Sequence, residues 1–85
     1  MNSELKKVKE YLESKGLDIE IENDDTIKFI KGFLSEGPNN YVTFYEDEYD
    51  GEKIIELEWT NDREIIDLAD DSDEMIWKFK LNGLF

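Results

Sequence analysis

Apolar positions along this chain change their period once, close to residue 16. Before it, Leu5, Val8 and Leu12 recur at helical spacing with Tyr11 beside them, which makes one narrow apolar stripe. Ser3 stands where it could cap a helix beginning at Glu4, and Gly16 stands where a C′ glycine would end it. After Gly16 the period becomes two. Leu17, Ile19 and Ile21 alternate with Asp18, Glu20 and Glu22, the pattern of a half-buried strand. Asn23-Asp24-Asp25 supplies turn chemistry, and Ile27, Phe29 and Phe33 then fall on one side of a second strand. Residues 35–40, Ser-Glu-Gly-Pro-Asn-Asn, read as a loop. Val42 and Phe44 alternate with Tyr41, Thr43 and Tyr45. Beyond a turn at Glu48–Gly51, Ile55, Leu57 and Trp59 alternate with Glu56 and Glu58. The final stretch sets Met75, Trp77, Phe79 and Leu81 in strict alternation, a last strand.

Residues 61–70 admit two readings. Asn61 with Glu64 could open a capping box for a short helix. Alternatively Asn61-Asp62 is a hairpin turn and the 62–70 stretch is a strand over residues 63–69. Register favours the strand. It places Leu57 opposite Ile66 and Ile55 opposite Leu68, and a turn at Asp70–Asp73 then brings Met75 and Trp77 into the same apolar rows. The Glu48–Gly51 turn adds Phe44 opposite Ile55 and Val42 opposite Leu57. A one-residue slip at any turn would send a whole set to the wrong face, so agreement across three turns carries weight. The arrangement also sets Glu56 against Asp67, a like-charge pair.

The expectation is a single α+β domain over residues 1–85, an N-terminal helix on an antiparallel meander of about five to six strands. Six strands span about 25 Å, whereas one helix is about 10 Å across. The sheet should therefore curl toward a partial barrel, or a second copy or a partner should cover the remainder. The far face should carry Ile54, Ile65, Ile76, Tyr41 and Tyr45.

Charge changes the picture most. The chain has 23 acidic and 10 basic side chains, for a net charge of -13. Residues 1–16 are nearly neutral, so the excess lies in the β region; Glu46–Glu74 alone holds 14 carboxylates against Lys53 and Arg63. Such a field repels phosphate, which argues against direct binding to nucleic acid or to an anionic membrane, and it attracts basic surfaces. Acidic disorder is a poor alternative, because apolar residues alternate regularly through the acidic segment. The absence of cysteine, of an apolar leader and of any apolar run of about 20 residues sets cytoplasmic residence as the expectation.

Chemistry is sparse. Without His or Cys there is no triad, no thiol nucleophile and no usual zinc site, and no Gly-rich phosphate loop occurs. Carboxylate pairs could serve a hydrolase, but among 23 carboxylates any pair is expected by chance. Glu46 to Gly51 imitates the start of a calcium loop, yet Leu57 stands where the bidentate Glu belongs, so an acidic hairpin turn is the better reading. No metal and no cofactor is expected.

The acidic surface is the candidate site. Residues two apart stand about 6.7 Å apart on one strand face, and Glu52, Glu56 and Glu58 share that face. Tyr41 and Tyr45 lie beside them, and tyrosine among carboxylates suits a protein interface. The expected partner-binding set is Tyr41, Tyr45, Asp47, Glu48, Asp50, Glu52, Glu56, Glu58, Asp67, Asp70 and Asp71. The expected function is non-enzymatic: inhibition of a basic protein, such as a nucleic-acid-binding protein or nuclease, by occupying its basic surface. In size and charge the chain resembles the small acidic inhibitors that phages make against host nucleases and restriction or CRISPR systems. No motif carries that resemblance. An immunity protein or antitoxin against a basic toxin, and a self-associating structural protein that dimerises through an uncovered sheet face, are the alternatives.

Overall fold

The structure is a computed structural model that describes residues 1–30, 39–62 and 64–83. The elements run α1 (Ser3–Ser14), β1 (Ile19–Asn23), β2 (Thr26–Ile30), β3 (Asn39–Tyr49), β4 (Glu52–Asn61), β5 (Glu64–Ala69) and α2 (Ser72–Leu81). The strands form an open antiparallel meander in the order β1-β2-β3-β4-β5. The α+β expectation is met, with five strands and a second helix. Phe33, Arg63 and most of the expected 35–40 loop lie outside the described residues; Asn39 and Asn40 belong to β3.

Local signals explain both helices. Asn2, rather than Ser3, caps α1, its Oδ1 accepting the Leu5 N–H at 2.7 Å. At the other end Gly16 takes φ 76°, the Gly16 N–H donates to the Glu13 carbonyl and the Leu17 N–H to the Leu12 carbonyl. Those paired bonds are a Schellman ending, which a left-handed glycine makes possible.

The last element corrects the sequence expectation: Met75–Leu81 is helical. Met75 and Phe79 are four apart, a spacing that serves a strand face and a helix face alike, so their burial cannot separate the two. The caps do. Asp71 Oδ1 accepts the Glu74 N–H at 2.8 Å and Glu74 Oε2 accepts the Asp70 N–H at 2.9 Å, a reciprocal clamp at the helix start. Asp73 and Glu74 favour the positive end of the helix dipole, and Lys78 and Lys80 the negative end. Residues 70–73 are thus a helix entry instead of a hairpin turn. Trp77, expected in the core, is 57 % exposed, and Leu81 is exposed as well.

Both helices cover one face of the sheet. Leu5, Val8 and Leu12 of α1 and Met75 and Phe79 of α2 pack with Ile27, Phe29, Val42, Phe44, Leu57, Trp59 and Ala69. Phe79 ties the layers together: its ring stacks with Tyr11 at 6.2 Å and meets Phe29 and Trp59 edge-on at 6.1 and 4.9 Å. Each fully buried large side chain of this cluster contributes about 1.5–3 kcal/mol. The second helix also answers the width problem: α2 covers what curling or a second copy was invoked to cover. Glu4 joins the helices, its Oε2 accepting the Ser72 N–H at 2.7 Å.

Register differs from expectation at two hairpins, with opposite consequences. In β3–β4 the turn is two residues, Asp50 and Gly51, with φ of 52° and 78°, the positive pair that a type I′ turn needs. Phe44 therefore faces Leu57 and Val42 faces Trp59, two residues from the expected pairing. An even slip keeps every side chain on its face. In β4–β5 the turn begins at Asp62 (φ 49°), and the register shifts again between Trp59 and Thr60. Leu57 meets Ala69 and Glu58 meets Leu68, three residues from expectation. The odd slip reverses the faces: Ile66 and Leu68 are exposed, and Ala69 takes the core position. It also removes the expected Glu56–Asp67 repulsion, because Asp67 now faces Trp59 and pairs with Lys78 of α2 at 3.1 Å.

Candidate functional site

Strands β3 and β4 outrun their neighbours. β2 pairs with β3 only as far as Thr43, and β5 pairs with β4 only from Leu57. Residues 45–56 form a two-stranded arm closed by the Asp50-Gly51 turn, and the molecule is accordingly elongated, 45 Å by 26 and 24 Å. The arm carries six carboxylates and one lysine.

Alternation sorts this ribbon into two unlike faces. On the helix side stand the pairs Val42–Trp59, Phe44–Leu57, Glu46–Ile55 and Glu48–Lys53. There the core gives way to charge, and Lys53 bonds Glu46 at 2.7 Å; that hydrogen bond holds the Lys53 ammonium above its usual pKa. On the far side stand Tyr41–Thr60, Thr43–Glu58, Tyr45–Glu56, Asp47–Ile54 and Tyr49–Glu52. This far strip is about 27 Å long by strand geometry. Its ten residues include three tyrosines and four carboxylates and no basic residue. Among the described residues, no lysine pairs with any of those four carboxylates.

Tyr45 organises the middle of the strip. Its hydroxyl donates to Glu58 Oε2 at 3.0 Å, a diagonal contact across the ladder. That bond, and then burial, push the Tyr45 phenol above its ordinary pKa. Beside it, Thr26, Tyr41, Thr43, Tyr45, Glu58, Thr60 and Asp62 line an open groove of about 380 Å³. Ile65 and Leu68 of β5 lie across from Thr60 and Glu58, exposed at the groove's flank.

Six of the expected partner-binding residues are thus brought together: Tyr41, Tyr45, Asp47, Glu52, Glu56 and Glu58. Glu56 and Glu58 are half-buried. Glu48 projects to the opposite face and Asp50 occupies the turn. The remaining three, Asp67, Asp70 and Asp71, lie off the strip, on β5 and at the entry to α2. Burial alone would raise the Asp67 carboxyl, but the bond from Lys78 and the Leu68 N–H outweigh it and hold its pKa low. Asp71 is the α2 cap, and Asp70 sits beside it. Tyr49, 70 % exposed, belongs to the strip although the expected turn excluded it. Its signal was the four-residue spacing of Tyr41, Tyr45 and Tyr49, which keeps all three on one strand face.

Among the described residues, no group of three or more carboxylates is gathered to hold a metal ion. The calcium-like segment is a hairpin, as expected. No helix among the described residues is long and apolar enough to cross a membrane. No family model matches the chain, and no curated protein or solved structure matches it significantly.

Proposed function

We propose that this protein works by docking its tyrosine–carboxylate strip on a basic surface of another protein and so keeping that surface from its own ligand. The observation that carries the reading is the one-signed far face of β3–β4, where three tyrosines and four carboxylates share about 27 Å without a cation. Rings supply contact area at low entropic cost, and the carboxylates meet Arg and Lys. The density of charge bears on the partner. One carboxylate per about 7 Å is roughly a quarter of the phosphate density of a duplex. That spacing suits individual basic side chains better than it imitates a whole nucleic acid. Surfaces that bind nucleic acid are basic surfaces whose occupation would amount to inhibition, and they are the partners this reading favours.

The test compares three forms of the protein as bait: wild type, a strip reversal (Glu52, Glu56 and Glu58→Lys) and a reversal on α1 (Glu10 and Glu13→Lys). A specific partner should be retained by wild type and the α1 form and lost from the strip form. Its association rate should fall as salt shortens the screening length from about 8 Å toward 3 Å. If the strip form retains the same partner with unchanged kinetics, the strip is only a solvated surface.

A further inference from the structure

The groove beside Tyr45 has a more specific chemistry than the strip as a whole. Its floor is Thr43 and Glu58, which face one another across the β3–β4 ladder. Tyr41 and Tyr45 stand two positions away on either side of Thr43 on the same strand face, and both line the groove. Thr60 adds a hydroxyl and Asp62 a second carboxylate at the rim. The Glu58 carboxylate is oriented, since the Tyr45 hydroxyl donates to its Oε2. Lys28, which faces Tyr41 from β2, turns its ammonium toward Glu20 at 3.9 Å and is not part of the lining.

We infer that this groove receives the side chain of an arginine from the partner. A guanidinium is planar, weakly hydrated and carries five N–H donors. Against a tyrosine ring it gains cation–π and stacking contact; toward Glu58, Thr43 and Thr60 it finds acceptors for several donors at once. A lysine ammonium has three donors, no plane to stack and a stronger hydration shell to lose. The oriented carboxylate is the deciding element, because a fixed acceptor rewards a fixed donor fork. The inference rests on the docking role proposed above and adds the residue type that anchors the contact.

The test uses short capped peptides that differ at one residue, arginine, lysine or citrulline, added to the intact protein and followed by backbone and side-chain NMR shifts. The arginine peptide should move Thr43, Tyr45, Glu58 and Thr60 signals together along one saturable curve. It should bind at least about threefold more tightly than the lysine peptide, and the uncharged citrulline peptide should not saturate. Glu58→Gln should weaken the arginine peptide by about tenfold, the scale of one charge-assisted hydrogen bond. Tyr45→Phe should weaken it less, by loosening Glu58, while Glu46→Gln on the opposite face should leave it unchanged. Circular dichroism of each variant would show that these surface changes leave the fold intact. Equal binding of arginine and lysine peptides, with shifts spread over every acidic residue, would overturn the groove and leave the docking strip standing. No shift in the groove with any peptide would overturn it too, and the bait comparison would then judge the strip independently.

Discussion

The body and the arm of this molecule are built on different principles from the same kind of alternating sequence. In the body, strands are flanked by neighbours and covered by two helices, and Phe79, Leu57 and Met75 are wholly buried. In the arm, residues 45–56 pair only with each other, and the rings at Tyr45 and Tyr49 stand in solvent. A two-stranded ribbon is marginal in water without a sheet or helix against it. Here it is tied down at its base, where Phe44 donates to the Asp25 carbonyl at 2.7 Å and Ile55 leans on the core. The lesson is that the side chains with binding chemistry lie on the face the helices leave uncovered, along the arm and in the groove at its base. Those side chains are free to be chosen for a partner.

Breaking that contrast should cost most in the body. Phe79→Ala removes the ring that joins α1, β2, β4 and α2 and should destabilise by about 3–5 kcal/mol in chemical denaturation. Trp77→Ala, two residues away on the exposed side of α2, should cost less than about 1 kcal/mol. Comparable losses for the two would restore the strand reading of residues 75–81.

The next effect sharpens the arm. Gly51 has φ 78°, so Gly51→Val should strain the turn by about 1–2 kcal/mol. Because the arm is a local unit, hydrogen exchange should accelerate at residues 45–56 and stay slow at Leu57, Phe29 and Phe79. Uniform acceleration throughout the chain would show that arm and body unfold together.

Glu4→Gln probes the joint between the helices. The carboxylate is held below its ordinary pKa, first by the Ser72 N–H, and its side chain is 21 % exposed. Its loss should cost about 1 kcal/mol at neutral pH, less than a buried charged bond because solvent screens it. A depressed carboxyl contributes above its unfolded value and stops contributing as pH falls through the folded one. The gap between wild type and variant should therefore be full above the ordinary value of 4.5 and close below it. A gap that persists unchanged at low pH would mean the bond does not depend on the charge.

Smallest of all, Glu58→Gln should change stability by no more than about 0.5 kcal/mol, on the stabilising side if relief of repulsion outweighs the Tyr45 bond. Paired with the tenfold effect expected on the arginine peptide, it separates a residue kept for binding from one kept for folding.

Much of this was legible in one dimension. The helical stripe Leu5-Val8-Leu12, the core face Ile27-Phe29-Val42-Phe44-Leu57-Trp59 and the shared face of Tyr41, Tyr45, Glu56 and Glu58 follow from period alone, because period is a property of the backbone each residue sits on. The Asp50-Gly51 turn was legible in principle too, as a residue pair that tolerates positive φ. What only the tertiary structure decided is register and the identity of the last element. Pairing that slips by two leaves every face intact and cannot be detected from the pattern, whereas the slip by three in β5 turns Leu68 outward and becomes tolerable only because Lys78 waits for Asp67. Lys78 can wait there only because residues 72–81 are a helix. That choice, invisible to a spacing of four, was settled by caps at Asp71 and Glu74 and by an open sheet face that one helix could not cover.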